Sequence, residues 1–277
     1  MEFEVARKEL VYVRVAPDNA KQIEDASFCE REGFGTGLDP QELPPVLQFI
    51  AKYGYIWLQY AVENGKRIPT GVMELISLPK ALEYRPGNID PGEYDLSISP
   101  FNVIMENQER VFASVRQFAK DQDIVYHHGI AMSRRGKGYG TLLLRYALEN
   151  TPSVKNHFVV CFPDAAQIDE KTKGLNLAPN EDSFTVHLKA GFVLAGVVDP
   201  PVYDETLTYY SFIRPAKKIK CVKNQKQEFR LNLADGSPTE VLNGVRMMTD
   251  GPLTRVFLGV DYSKETHEIQ FVLAERT

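Results

Sequence analysis

Two spacings of apolar residues alternate along the chain, and together they predict its elements. Residues 10–15 read LVYVRV, a short β-rich run. Pro17-Asp18 then signals a helix start, so residues 18–32 are expected to be helical. Gly33, Gly35 and Gly37 loosen the chain, and Pro40 opens a second helix carrying Val46, Leu47, Ile50 and Ala51 on one side. Residues 55–63 (YIWLQYAVE) and 71–78 (GVMELISL) are strand-like and flank Asn64-Gly65-Lys66, which predicts a hairpin. Residues 79–100 are rich in Pro, Gly and Asp and read as an insertion, with a helix expected over 107–120. Residues 124–132 (IVYHHGIAM) form another strand. In the next stretch Tyr139, Leu142, Leu143, Tyr146 and Ala147 recur at helical spacing. A short strand over 157–162 and a helix over 180–190, stopped by Gly191, follow. Strands over 192–198 and 207–213 complete the main body, a mixed α/β arrangement.

The pattern changes after Arg214-Pro215. Lys217, Lys218, Lys220, Lys223 and Lys226 form a basic run that reads as a solvated linker. Four strand-like pieces follow, near 229–233, 240–248, 254–260 and 268–274. The expected organisation is a domain over residues 1–216, interrupted by an insertion at about 79–122, and a small all-β extension over 217–277. About 60 residues is marginal for an independent core, so the extension should pack on the main domain.

Composition narrows the function. The chain has 277 residues, 43% of them hydrophobic and 25% charged, enough apolar material for a sizeable core. Its 32 basic and 37 acidic side chains leave a net charge of −5, which disfavours nucleic acid as a partner. The three cysteines, Cys29, Cys161 and Cys221, are far apart and form no C-x-x-C pair. A disulfide scaffold and a cysteine zinc site are both disfavoured. The first ten residues lack the apolar core of a signal peptide, and no run of 18 apolar residues suggests a membrane span. The expectation is a cytoplasmic protein without membrane contact or metal.

The most informative segment is Arg134-Arg135-Gly136-Lys137-Gly138-Tyr139-Gly140-Thr141, between an expected strand and an amphipathic helix. Glycines let a backbone approach a ligand closely, and the N–H groups at a helix start point at an anion. Walker A spacing fails here, because Lys137 is followed by glycine and no glycine stands five residues before Gly136. The G-x-G-x-G spacing also fails the dinucleotide fingerprint. The pattern R-x-x-G-x-G, met by Arg135, Gly138 and Gly140, resembles the acyl-CoA loop of the GNAT superfamily of N-acetyltransferases. Residues 180–192 (NEDSFTVHLKAGF) resemble a second segment of that family, with Asn180, Ser183, His187, Gly191 and Phe192 in register.

That resemblance spans roughly residues 10–215. It implies the acyl-CoA N-acyltransferase fold, a mixed and mostly antiparallel twisted sheet flanked by helices. It also implies acetyl-CoA as co-substrate. Pantetheine would pair with the backbone of Ile130, Ala131 and Met132. Pyrophosphate would sit on the N–H groups of Arg135, Gly136, Lys137, Gly138, Tyr139, Gly140 and Thr141. Splayed strands beside Met132 and Phe162 would open a wedge for the arm. Asn180 would bond the arm, with Ser183 and His187 on the same helix face. His187 stands where many relatives carry the tyrosine that protonates the departing thiolate, and its alternative is a packing or capping residue.

For deprotonating the amine, Glu74 in GVMELISL is the best carboxylate, since apolar neighbours raise its pKa. Its alternative is a solvent-facing strand position. His127 and His128 are the second option, and strand alternation allows one of them at most to face the cleft. Cys161 reads as a small buried hydrophobe, and Tyr84, Tyr94 and Phe101 would wall the acceptor pocket. The function expected is transfer of an acetyl group to the amine of a small-molecule or amino-acid-like acceptor. The alternatives are a non-catalytic acyl-CoA-binding or regulatory module, and an enzyme using a longer acyl-CoA. Exposed strand edges in the extension leave room for a homodimer.

Overall fold

The computed structural model describes residues 10–34, 43–83, 120–136, 138–151, 156–161, 181–198, 209–214, 220–221, 228–233, 244–245 and 255–275. These residues fall into two compact units. One holds residues 10–76 and 127–151; the other holds 77–83, 120–126 and 156–275.

The first unit opens with β1 (Leu10–Arg14), α1 (Ala20–Phe34) and α2 (Leu43–Tyr53). Asn19 caps α1, its Oδ1 accepting the Gln22 N–H at 3.1 Å, and the Gln22 side chain reaches back to the Ala16 N–H at 2.8 Å. The expected hairpin forms from β2 (Gly54–Glu63) and β3 (Lys66–Ser77). Asn64 and Gly65 both take positive φ, 51° and 75°, the two-residue turn whose twist matches paired strands. That tight turn lets β3 start pairing at Lys66, earlier than hydrophobicity alone indicates.

One register shift interrupts the ladder. Gln59 faces Gly71 and Tyr60 faces Pro69, which leaves Thr70 bulged. The bulge also accommodates Pro69, which has no N–H for a ladder. Residues 70–76 are all buried, so β3 is covered on both faces. The strands run in the order β1-β2-β3-β4, with His127–Ala131 of β4 (Ile124–Ala131) in this unit. α4 (Tyr139–Asn150) follows, burying Tyr139, Leu143, Leu144 and Ala147.

In the second unit lie a short α3 (Leu78–Glu83) and a 3-10 turn at Asp121–Asp123. They are followed by β5 (Asn156–Cys161), α5 (Glu181–Lys189), β6 (Val193–Val198) and β7 (Tyr209–Arg214). Then come β8 (Lys220–Cys221), β9 (Glu228–Asn232), β10 (Arg255–Ser263) and β11 (Glu268–Glu275). Their order is β5-β7-β6-β10-β11-β8, with β9 also on β11. Every pairing with a described register is antiparallel, in both units. The fold class is the expected one, mixed α/β with a mostly antiparallel sheet flanked by helices.

The C-terminal strands continue the sheet of their unit: Gly259 of β10 pairs with Leu194 of β6. Of the strand expected over 240–248, the described residues Gly244 and Val245 are helical. There a Cβ on Gly244 would lie 3.2 Å from the Leu231 side chain, so helical backbone packs close to β9. The helix expected over 107–120 lies outside the described residues, apart from Lys120.

Candidate active site

The glycine loop sits where a strand meets a helix, as expected. β4 ends at Ala131, and α4 begins at Tyr139. Gly136 and Gly138 take φ of 85° and 71°, the left-handed region where a side chain costs roughly 1–2 kcal/mol. A Cβ on either would meet nothing within 4 Å. Glycine is therefore demanded at both by backbone conformation, and the space beside them is open. Gly138 is the N-cap of α4, no described side chain caps the helix, and its first turn has no acidic residue. The helix start thus presents N–H groups and the positive end of its dipole.

The bulge in β3 anchors the loop. The N–H groups of Ser133 and Arg134 both donate to the Thr70 carbonyl, at 3.1 and 3.4 Å, and Ser133 Oγ donates to the Pro69 carbonyl at 2.8 Å. The Thr70 hydroxyl turns inward to Gln59. Gln59 is fully buried, and its Nε2 donates to the Tyr139 carbonyl at 3.3 Å. One buried amide therefore ties β2, the bulge and the start of α4 together.

α1 supplies the other support. A Cβ on Gly33 would come within 2.8 Å of the Met132 nitrogen, so only glycine lets α1 approach the end of β4. Arg135 donates from Nη2 to the Gly33 carbonyl at 3.2 Å, and Arg134 pairs with Glu63 at 2.6 Å. Arg135 is exposed, and its guanidinium adds positive charge beside the loop.

A turn earlier on α1, Glu30 meets Glu74. Glu74 is 1% exposed and Glu30 5% exposed. The solvent-facing alternative for Glu74 is thereby removed, because β3 is covered on both faces. Burial raises the Glu74 carboxyl to about 7, a rise that contact with Glu30 partly offsets. Burial first, then the Glu74 charge, push the Glu30 carboxyl well above the ordinary range. The two carboxyls lie within side-chain hydrogen-bonding reach of each other, and neither Glu74 oxygen takes a bond from any other described group.

His128 Nε2 lies 3.7 Å from Glu74 Oε2, and its side chain is 12% exposed. Burial pushes this imidazole down to about 3, so it is neutral at pH 7. The alternation of β4 sends His127 to the opposite face. Sequence reasoning singled out Glu74 and His128 but passed over Glu30. The signal was present: Ile23, Ala26, Ser27 and Glu30 fall at i, i+3, i+4 and i+7, and all four are buried.

Ser183 and His187 belong to the second unit. The α5 N-terminus is held by the β10–β11 hairpin. Tyr262 Oη donates to Glu181 Oε1 at 3.1 Å, His267 Nδ1 lies 3.1 Å from the same oxygen, and Lys264 pairs with Asp182 at 2.9 Å. Phe184 sits edge-on to Tyr210 and Phe212, with ring centroids 4.9 and 4.8 Å away. His187 is fully buried beside Phe192 and Phe212. Its Nδ1–H donates to the Ser183 carbonyl at 2.8 Å, which leaves the lone pair on Nε2. Burial lowers its pKa to about 4, against a small rise from that bond. The helix ends as expected: the Phe192 N–H donates to the His187 carbonyl at 3.0 Å, and Gly191 takes φ 86°.

Among the other expected site residues, Ala131 is buried, while Ile130, Met132, Gly140 and Thr141 are half-buried. Lys137, Asn180, Phe162, Tyr84, Tyr94 and Phe101 lie outside the described residues. Among the described residues no cluster of His, Cys, Asp and Glu could hold a metal ion. No described helix is long and apolar enough to cross a membrane. An open depression of about 470 Å³, lined by Pro17, Asp18, Gln48, Phe49, Lys52 and Tyr53, includes none of the expected site residues.

Searches of family models and of curated proteins return no match. Among solved structures, the chain is similar to a GNAT-family acetyltransferase from Streptococcus pneumoniae (15% identity, 74% of this chain and 98% of that one, TM-score 0.40). It is similar to an aminoglycoside 6'-N-acetyltransferase complexed with coenzyme A (12% identity, 75% and 98%, TM-score 0.43). It is also similar to a ribosomal-protein-S5-alanine acetyltransferase from Vibrio fischeri (11% identity, 79% and 97%, TM-score 0.42).

Proposed function

We propose that the chain is an acetyl-CoA-dependent N-acetyltransferase acting on the amine of a small acceptor. The observation that carries this reading is the start of α4. Two left-handed glycines, an uncapped helix N-terminus without acidic neighbours, and open space where their side chains would be suit a pyrophosphate. The N–H groups of Gly138, Gly140 and Thr141 would hold it, with Arg135 adding charge. Ile130, Ala131 and Met132 at the end of β4 would offer backbone to the pantetheine arm. Acetyl-CoA, when bound, supplies the acetyl group as a thioester.

This chain's own residues would handle the acceptor's proton. An alkyl amine arrives as an ammonium ion and must lose a proton before its lone pair can attack. Glu74, with a pKa of about 7, is ionised in part at neutral pH and holds a proton well once it has one. His128, the most exposed member of the group, would carry the proton to it. We assign His187 to packing rather than to thiolate protonation. A neutral ring whose only N–H is given to the Ser183 carbonyl has no proton to offer from Nε2.

Thermal unfolding with and without acetyl-CoA tests the reading. At about 100 times Kd the ligand adds roughly 2.7 kcal/mol, which should raise Tm by several degrees. The rise should vanish in Gly138→Glu, and thiol release over a panel of amines should follow in the unaltered protein. No rise at millimolar acetyl-CoA would refute the cofactor site. A rise without thiol release for any amine would favour the non-catalytic acyl-CoA-binding module.

A further inference from the structure

We propose that Glu30 is the second half of the base. It keeps its proton, so the Glu30–Glu74 pair carries one negative charge, held on Glu74 beside His128. This inference rests on the transferase reading for its purpose but not for its geometry.

The groups around the pair decide its charge. On α1, Cys29 stays a thiol, its pKa pushed up to about 12 by burial, and Asp25 is engaged by the Tyr60 hydroxyl of β2 at 2.9 Å and by Lys21 at 3.1 Å. On β4, burial keeps His128 neutral. Among the described residues no lysine or arginine pairs with Glu30 or Glu74. Two carboxylates this buried and lacking a cation cannot both ionise, so one must hold the proton. Glu74 has the His128 ring 3.7 Å away, an imidazole that can turn an N–H toward its charge, while among the described residues Glu30 has no such neighbour. The proton therefore stays on Glu30.

The proton balance is then simple. The acceptor's ammonium gives one proton through His128 to Glu74 and becomes a neutral amine. Glu74 becomes neutral beside a Glu30 that never lost its own proton. The same helix also braces the glycine loop through Cys29 and Gly33, so base and loop share one support.

Carboxyl-carbon NMR of the full chain, labelled at glutamate, tests this without turnover. The unaltered protein should show one glutamate titrating near neutrality and a second still protonated above it. In Glu30→Gln the amide N–H replaces the acid O–H, and Glu74 should keep its midpoint. In Glu30→Leu that donor is lost, and the Glu74 midpoint should move up by about one pH unit. Where amine-dependent thiol release is measurable, the acid limb of the rate should move with the NMR midpoint.

Two glutamates that both ionise below about pH 5 in the unaltered protein would overturn the proposal. So would a Glu74 midpoint indifferent to Glu30→Leu. If the leucine variant does not fold, the unaltered protein and Glu30→Gln decide by the same criteria. Because the spectra need no acceptor, failure of the carboxyl pair is distinguishable from failure of the transferase reading.

Discussion

Replacing Glu74 by glutamine should stabilise the protein at high pH and abolish its chemistry. Glu74 is 1% exposed, and its pKa lies at about 7, against an ordinary carboxyl value of 4.5. That gap corresponds to about 3 kcal/mol between the two protonation states. Because the folded value is the higher one, the stability it represents is fully present below about pH 4.5. It is lost as pH rises through about 7. Glutamine has no charge to bury, so Glu74→Gln lacks this loss.

The difference between the two proteins should be smallest near pH 4 and grow to about 3 kcal/mol by pH 8 or above. For a chain of this size it amounts to about 5–10 °C in Tm. Carboxylates remote from Glu30 and Glu74 cancel in the comparison, so urea unfolding of both proteins at several pH values reads the pair's term. The same variant should show no amine-dependent thiol release, the pattern of a group kept for function at the expense of stability. Parallel stability profiles for the two proteins would refute the reasoning, since Glu74 would then be an ordinary carboxylate.

Three further outcomes are expected. His187→Ala should cost about 2–4 kcal/mol, from lost packing against Phe192 and Phe212, and leave kcat within a few-fold. A drop of about 100-fold at unchanged stability would restore His187 as the thiolate's acid. Tyr262→Phe keeps the ring against Phe184 but loses the hydroxyl's bonds to Glu181 and His267, and should lower the urea midpoint by the equivalent of about 1–2 kcal/mol. An unchanged midpoint would show that the hairpin does not hold α5. Gly33→Val places carbon within 2.8 Å of the Met132 nitrogen, so α1 must shift, at a cost of about 1–3 kcal/mol. Acetyl-CoA should then protect the variant less in a thermal melt, because Arg135 leans on the Gly33 carbonyl.

Much of the local structure could be read from the sequence alone, because it depends on neighbouring residues. Asn64-Gly65 sets its turn through positive φ, Gly191 stops α5 in the same way, and the glycines before α4 mark the loop. Most of the α4 stripe follows from its spacing, but Leu142, expected on it, is 43% exposed and Leu144 is buried instead. What local spacing could not settle was which polar groups meet. Glu30, Glu74 and His128 stand on a helix and two strands, far apart along the chain, and each looks ordinary in its own segment. Only the packing of α1 over β3 and β4 buries the two carboxyls with no cation paired to them among the described residues. The surrounding low dielectric then turns two unremarkable glutamates into a pair that holds one proton. His187 makes the same point from the other side. Its place in a family pattern is visible in the sequence, but its tautomer depends on the Ser183 carbonyl and its neutrality on the aromatic rings that bury it.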